Sequence, residues 1–166
     1  ATASYDRTIK FWEAPSGICV RTLQFQDSQV NCMAISPHKT GLVAAGHHHI
    51  RMFDLQTNSQ SPLWSIEAHQ QNITSIGFQK DGKWIYSGSE DNWIKIWDVR
   101  SQTCKRKYDC KASVNALALH CNQGEIISGD QNGLIRLWDL KADACLQYMA
   151  PGIDSSIRSI TINTAG

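Results

Sequence analysis

An all-β fold of repeated four-stranded units, arranged as a β-propeller, is what this sequence predicts, on three observations. An aromatic anchor recurs inside one short motif: "IKFWEA" at 9–14, "IRMFDL" at 50–55, "IKIWDV" at 94–99 and "IRLWDL" at 135–140. The anchors Trp12, Phe53, Trp97 and Trp138 are spaced by 41, 44 and 41 residues, a period that suits one propeller blade and exceeds an ankyrin or tetratricopeptide unit. A second marker keeps step with the first. Runs beginning at Val30, Ile73, Val114 and Ile157 recur at intervals of 43, 41 and 43 residues, each alternating apolar with small or polar residues as a strand does.

The remaining elements follow in order. Between the markers lie two further short runs per unit, such as "KWIYSGS" and, after the anchor, "CKRKYD". β-Branched and aromatic residues fill the runs, while Gly, Asn, Asp and Pro collect between them, the turn chemistry of an antiparallel meander. A tight turn sits six residues before three of the anchors, at Asp6, Asp91-Asn92 and Asn132-Gly133. Each anchor is followed by an acid (Glu13, Asp54, Asp98, Asp139) and preceded two residues earlier by a base (Lys10, Arg51, Lys95, Arg136). The base shares a strand face with the aromatic, so its stem is expected along apolar surface with the charge at the rim.

Charge and composition narrow the function classes. Sixteen Lys and Arg against 15 Asp and Glu leave no basic excess to neutralise a phosphate backbone, so nucleic acid is not the expected partner. No apolar run approaches the roughly 20 residues that span a bilayer, so no membrane insertion is expected. The six cysteines, Cys19, Cys32, Cys104, Cys110, Cys121 and Cys145, include no Cys-x-x-Cys pair and read as free, buried, small hydrophobes in a reducing compartment. Asn72-Ile73-Thr74 is a short match to a glycosylation acceptor that carries little weight without a secretory signal.

These residues, with Ser87-Gly88-Ser89 and the turn acid in register with Trp97-Asp98, resemble the WD-repeat family over essentially the whole chain. The resemblance implies a propeller, because one blade cannot bury both faces of its sheet while blades packed in a ring can. Relatives usually have seven blades, and at about 42 residues per blade this chain makes about four. Residues 1–166 are therefore expected to be one propeller domain, incomplete and a piece of a longer chain. Its units end near Trp12, Phe53, Trp97 and Trp138, and a further unit starts at 157–166.

His69, Ser87 and Asp91 contain the parts of a nucleophilic triad, but the repeat supplies a competing account. In WD repeats, residues at these positions resemble a structural network, His to Asp and Ser to Trp, which here is His69, Ser87, Asp91 and Trp97. No Gly-x-Ser-x-Gly elbow surrounds Ser87, and the blade ending at Trp138 has Cys110, Ser128 and Asn132 at the corresponding places. The blade ending at Phe53 is expected to carry Gln26 and Ala45 there. The structural reading is preferred, with no catalytic residue, no cofactor and no metal.

Three consecutive histidines, His47, His48 and His49, raise the question of a metal. Aligning Gly46 with Gly88 makes them a second-to-third strand turn two residues shorter than its counterpart. Neighbouring side chains there alternate in direction, which seldom gathers three ligands on one ion, so a solvated or partner-facing turn is expected.

The stretches "SYDRTIKFWEAPSGICVRT", "QDSQVN", "AAGHHHIRMFDL", "DGKWIYSGSEDNWIKIWD" and "GDQNGLIRLWDLK" resemble, within the WD-repeat family, the subgroup found in target-of-rapamycin (TOR) kinase complexes, over residues 1 to about 141. What this implies is a non-catalytic, cytoplasmic subunit that clamps the kinase domain of a TOR-type kinase, peripheral to endomembranes through its complex. The alternatives are a ubiquitin-ligase receptor, a G-protein-beta-like scaffold or a propeller hydrolase. Candidate partner contacts lie in the fourth-to-first and second-to-third strand connections: Tyr5, Gln26, Asp27, Gln29, His47, His48, Gln70, Gln71, Asn92 and Trp93. Trp93 is favoured as an anchor, since an aromatic at a turn makes a hot spot. Lys105-Arg106-Lys107 reads as charge guarding an outer edge strand, with an acidic-partner patch as the alternative.

Overall fold

Short runs that alternate in side-chain direction, punctuated by turn residues, leave the backbone one way to satisfy its hydrogen bonds, by pairing with the next run. A computed structural model describes residues 1–150 and 155–163. Four antiparallel sheets follow one another along the chain, and no helix occurs among the described residues. Blade 1 holds β1 (Thr2–Ala3), β2 (Thr8–Trp12) and β3 (Cys19–Gln24). Blade 2 holds β4 (Cys32–Ile35), β5 (Gly41–Ala45), β6 (His49–Asp54) and β7 (Trp64–Glu67). Blade 3 holds β8 (Ile73–Phe78), β9 (Trp84–Ser89), β10 (Trp93–Asp98) and β11 (Cys104–Asp109). Blade 4 holds β12 (Val114–Leu119), β13 (Glu125–Asp130), β14 (Ile135–Asp139) and β15 (Ala144–Met149). Every sheet is a meander in sequence order.

The core lies between blades rather than within them. Ile9 and Leu23 of blade 1 meet Leu42, Ala44 and Phe53 of blade 2, together with Phe25 and Val30 from the connection. Val43, Ala45, Ile50 and Met52 of blade 2 meet Ile73, Ile76, Ile85 and Trp97 of blade 3. Ile94, Ile96 and Tyr108 of blade 3 meet Val114, Leu117, Ile126 and Trp138 of blade 4. Each of the anchors Phe53, Trp97 and Trp138 thus faces the preceding blade, and burying a side chain of this kind contributes about 1.5–3 kcal/mol. Gly88 marks how close the blades come. A Cβ there would lie 2.7 Å from Val114 Cγ1 and 2.8 Å from Leu117 Cδ1.

Polar links repeat alongside this packing. Cys32 Sγ reaches the Ile73 carbonyl, Thr74 Oγ1 donates to the Val114 carbonyl at 2.6 Å and Asn115 Nδ2 to the Ile157 carbonyl at 3.0 Å. The run at 157–162 carries no strand pairing, yet the Ile157 N–H reaches Asp130 O as the Ile73 N–H reaches Gly46 O. Ile157 therefore holds the place against blade 4 that Ile73 holds against blade 2.

The cysteines need a correction. All six are free, but only Cys110 is buried, and Cys19, Cys104, Cys121 and Cys145 are exposed. Three of these four stand on the outer strands β3, β11 and β15, where one flank has no blade to cover it.

Candidate functional site

The end of blade 3 that carries the β9–β10 turn brings His69, Ser87, Asp91 and Trp97 into one hydrogen-bonded line. The Asp91 carboxylate caps its own turn by accepting the Trp93 N–H at 3.1 Å, and accepts the Gln70 N–H at 3.0 Å. Its oxygens lie 3.1 and 3.0 Å from His69 Nδ1. A carboxylate only accepts, so the His69 proton sits on Nδ1 and Nε2 is left to accept the Ser87 hydroxyl at 2.8 Å. Ser87 Oγ in turn accepts the Trp97 indole N–H at 2.9 Å. Every donor along the line has one acceptor, the condition under which a buried polar chain is favourable.

Burial sets the electrostatics. Desolvation lowers the His69 pKa and outweighs the opposing pull of Asp91, so the imidazole is held neutral. Burial pushes Asp91 upward, but hydrogen bonds from His69, Gln70 and Trp93 win and hold its pKa at about 2. Ser87 has no exposed surface. Its hydroxyl is committed to His69 and its oxygen to Trp97, so no substrate atom can reach it.

The neighbouring blades solve the same position differently, and here the sequence alignment needs correcting. Ala45 pairs with Ile50 as Gly88 pairs with Ile94 and Gly129 with Ile135. Ala45, not Gly46, therefore matches Gly88, and the His47–His49 turn is one residue shorter than its counterparts, not two. Ala44, opposite Arg51, takes the place of Ser87, opposite Lys95. The Phe25 N–H donates to Arg7 O as the Ala68 N–H, with the His69 N–H beside it, donates to His48 O, and the Phe25 ring packs in one apolar cluster with Ala44 and Phe53. In blade 2 the space of His69, Ser87 and Trp97 is thus filled by Phe25, Ala44 and Phe53; Gln26 keeps the register position of His69 but is exposed, and Ala44 rather than Ala45 stands at the serine's place. Phe25, Ala44 and Phe53 are all buried and apolar. Blade 4 takes a middle course. Trp138 Nε1 donates to Ser128 Oγ at 2.8 Å, while burial pushes the Cys110 thiol at the histidine's place up to about 12.

Three of the four bases two residues before the anchors do not end at the rim. Arg51 is 6% exposed, lies over the Phe25 ring with its guanidinium carbon 4.6 Å from the centroid, donates to Gln26 O, and meets Asp27 Oδ2 at 2.6 Å. Lys95 reaches the Ala68 carbonyl beside the Trp97 ring, and Arg136 pairs with the buried Asp130. The reason is geometric. For Arg51 and Lys95 the fourth-to-first connection folds over the third strand and offers carbonyls or an acid within reach, while for Arg136 the acid comes from the end of β13 in its own blade, so the charge is satisfied inside.

Of the candidate contacts, Tyr5, Gln26, Asp27, His47, Gln70 and Gln71 are exposed, and Gln29, His48, Asn92 and Trp93 are partly covered. They lie along the end of the arc formed by the β1–β2, β5–β6 and β9–β10 turns and the connections into β4 and β8. Trp93 lies on β10, with the Lys107 ammonium 5.3 Å from its ring centroid. The histidine turn is tied to its surroundings. His47 Nδ1 lies 3.2 Å from Asn72 Oδ1, and His48 Nδ1 3.1 Å from His69 O. Two residues not among the candidate contacts, Asn72 and Glu90, join this surface. Asn72 Nδ2 donates to Glu90 Oε2 at 2.9 Å, and Asn72 Oδ1 also accepts from Gln29 Nε2 at 3.4 Å. The half-buried Asn72 is thereby a junction of two blades rather than a free acceptor for a glycan.

Repeats of the WD domain, G-beta repeat family match residues 17–54, 60–98 and 102–139. The chain belongs to this family. Its similarity to individual members runs nearly end to end. It is 54% identical over 162 residues to target of rapamycin complex subunit LST8-1 of Arabidopsis thaliana, 98% of this chain and 53% of that one. It is 48% identical over 165 residues to target of rapamycin complex subunit wat1 of Schizosaccharomyces pombe, 99% of this chain and 52% of that one. It is 47% identical over 165 residues to target of rapamycin complex subunit LST8 of Saccharomyces cerevisiae, 99% of this chain and 54% of that one. The chain spans about half the length of these WD-repeat relatives. No helix among the described residues is long and apolar enough to cross a membrane.

Proposed function

We propose that this WD-repeat chain is part of a non-catalytic propeller subunit of a TOR-type kinase complex that holds and stabilises the kinase domain. The observation that carries this reading is the alignment of 98–99% of this chain, over about half of each relative, with subunits of target of rapamycin complexes at 47–54% identity. The interior agrees with a scaffold. The arrangement of Ser87, His69 and Asp91 is sealed by Trp97, with Ser87 at 0% exposure. A sealed, fully paired network fixes the pitch of a blade, and a fixed pitch keeps loops from several blades in constant relative position.

The partner surface in this reading is the end carrying Tyr5, Asp27, His47, Gln70 and Trp93. Tyr5 is 82% exposed, a large amphipathic group of the kind that anchors interfaces. The place of action is the cytoplasm, with any endomembrane association made through the complex. The test is affinity purification of the full-length tagged protein from its source cells. A TOR-type kinase is the expected catch, reduced about thirtyfold or more by Tyr5→Ala with Trp93→Ala, as removal of a hot spot of about 2 kcal/mol requires. A different dominant partner, retained by the double variant, overturns the reading.

A further inference from the structure

Antiparallel strands put the other connections, first-to-second and third-to-fourth, at the opposite end of the arc. There a cleft of about 310 Å³ opens between blades 3 and 4. Trp84 at the start of β9, Ile96 on β10 and Leu140 just past β14 supply its apolar lining. Lys105, Arg106 and Lys141 line it with positive charge against the single acid Asp98. This is an unusual concentration in a chain whose formal net charge is only +1.

The backbone aims these charges. Ile96 pairs with Arg106 and Trp97 with Cys104, which leaves Lys105 as the extra residue of a β-bulge. A bulge bends its strand and redirects a side chain. Arg106 is already engaged, donating to Leu140 O and meeting Asp143 Oδ1 at 3.2 Å. It thereby pins the two blades that form the walls. Lys105 and Lys141 are exposed and form no ion pair among the described residues.

We propose that this cleft binds an acidic peptide segment of a partner protein, taking one bulky apolar side chain against Trp84, Ile96 and Leu140 while flanking carboxylates meet Lys105 and Lys141. The volume stands at the low end for a ligand site, which suits one leucyl or aromatic side chain better than a larger molecule. An apolar anchor inside a charged rim is the usual division of labour at an interface, the anchor giving affinity and the rim orientation. Nucleic acid suits the cleft less well, because too few cations gather here to neutralise a phosphate backbone. The walls come from two adjacent blades of this chain and the cleft lies away from the proposed kinase-facing end, so its failure would leave the TOR-subunit reading intact.

The experiment uses the full-length protein and a fluorescein-labelled nonapeptide of four acidic residues, phenylalanine and four acidic residues, followed by fluorescence anisotropy. Gly124 lines the cleft, and a Cβ built on it meets nothing closer than Asn122 Oδ1 at 3.8 Å. Gly124→Leu therefore obstructs the cleft without disturbing the blade, which an unchanged melting temperature checks. Saturable binding is expected, weakened about tenfold or more by Gly124→Leu, by Lys105→Glu with Lys141→Glu, and by serine in place of the peptide's phenylalanine. Equal binding of the serine peptide would reduce the effect to bare electrostatics and overturn the proposal. So would binding that Gly124→Leu leaves untouched. Absence of binding to the native protein overturns it as well.

Discussion

The Ser87 hydroxyl stands between His69 and Trp97, 2.8 Å from one ring nitrogen and 2.9 Å from the other, with no surface open to solvent. One oxygen thus serves as donor to an imidazole on the incoming connection and acceptor from an indole on the neighbouring strand. Three segments far apart in sequence depend on a single small side chain.

Removing that oxygen leaves a buried indole N–H and a buried imidazole nitrogen without partners. Ser87→Ala is expected to destabilise the protein by about 2 kcal/mol, the penalty for orphaned buried groups. Urea unfolding followed by tryptophan fluorescence reads this as a lower midpoint at unchanged slope.

Blade 2 shows that the same position can be filled without polar atoms, by Phe25, Ala44 and Phe53. The triple change His69→Phe, Ser87→Ala and Trp97→Phe is therefore expected to lose less stability than the sum of its single changes, with a favourable coupling of about 1–3 kcal/mol. Asp91 keeps the Gln70 and Trp93 N–H groups in that variant. Additive losses in the same unfolding series would show that the blades are not interchangeable at this site.

Acid should weaken the fold in two stages, both of the same sign. His69 has a folded pKa below its ordinary 6.5, so the unfolded chain takes up the proton first and stability falls as pH drops below 6.5. Asp91 has a folded pKa of about 2 against an ordinary 3.8, so its contribution is complete above 3.8 and is lost as pH falls from there toward 2. Unfolding midpoints taken from pH 8 down to pH 5 should decline for the native protein and decline less for His69→Phe.

Gly88 tests the spacing of blades. With backbone φ in an ordinary region, the effect of Gly88→Ala is steric alone, the new methyl meeting Val114 and Leu117 well inside contact distance. A loss of about 1–3 kcal/mol is expected from forcing blades 3 and 4 apart. Native-state hydrogen exchange should show it as faster exchange in β12 than in β5.

Much of this fold was legible without coordinates, because the period of the aromatic anchors and the alternation of the runs answer to local chemistry. The turn residues Asp6 and Asp91 act over two positions, and Trp12, Phe53, Trp97 and Trp138 stand where the strand period puts them. The sequence alignment slipped by one residue at Gly46, since a shortened turn can be absorbed at several points along a chain. Only cross-strand pairing of Ala45 with Ile50 fixes the choice. The fates of Arg51 and Lys95 were also hidden, because each depends on a carbonyl or carboxylate brought over it by another connection.

What the sequence by itself determined was the unit: four short strands, a turn acid and an aromatic, repeated. These follow from interactions between residues a few positions apart, and a repeated pattern exposes them several times over. Tertiary structure alone decided how adjacent units meet. It buried Ser87, replaced a polar network with Phe25 and Ala44 in one blade, and opened a cleft under Lys105 and Lys141 between two others. Those outcomes rest on distances between surfaces separated by about forty residues of chain, where a shift of an ångström decides between a hydrogen bond, a clash and a cavity.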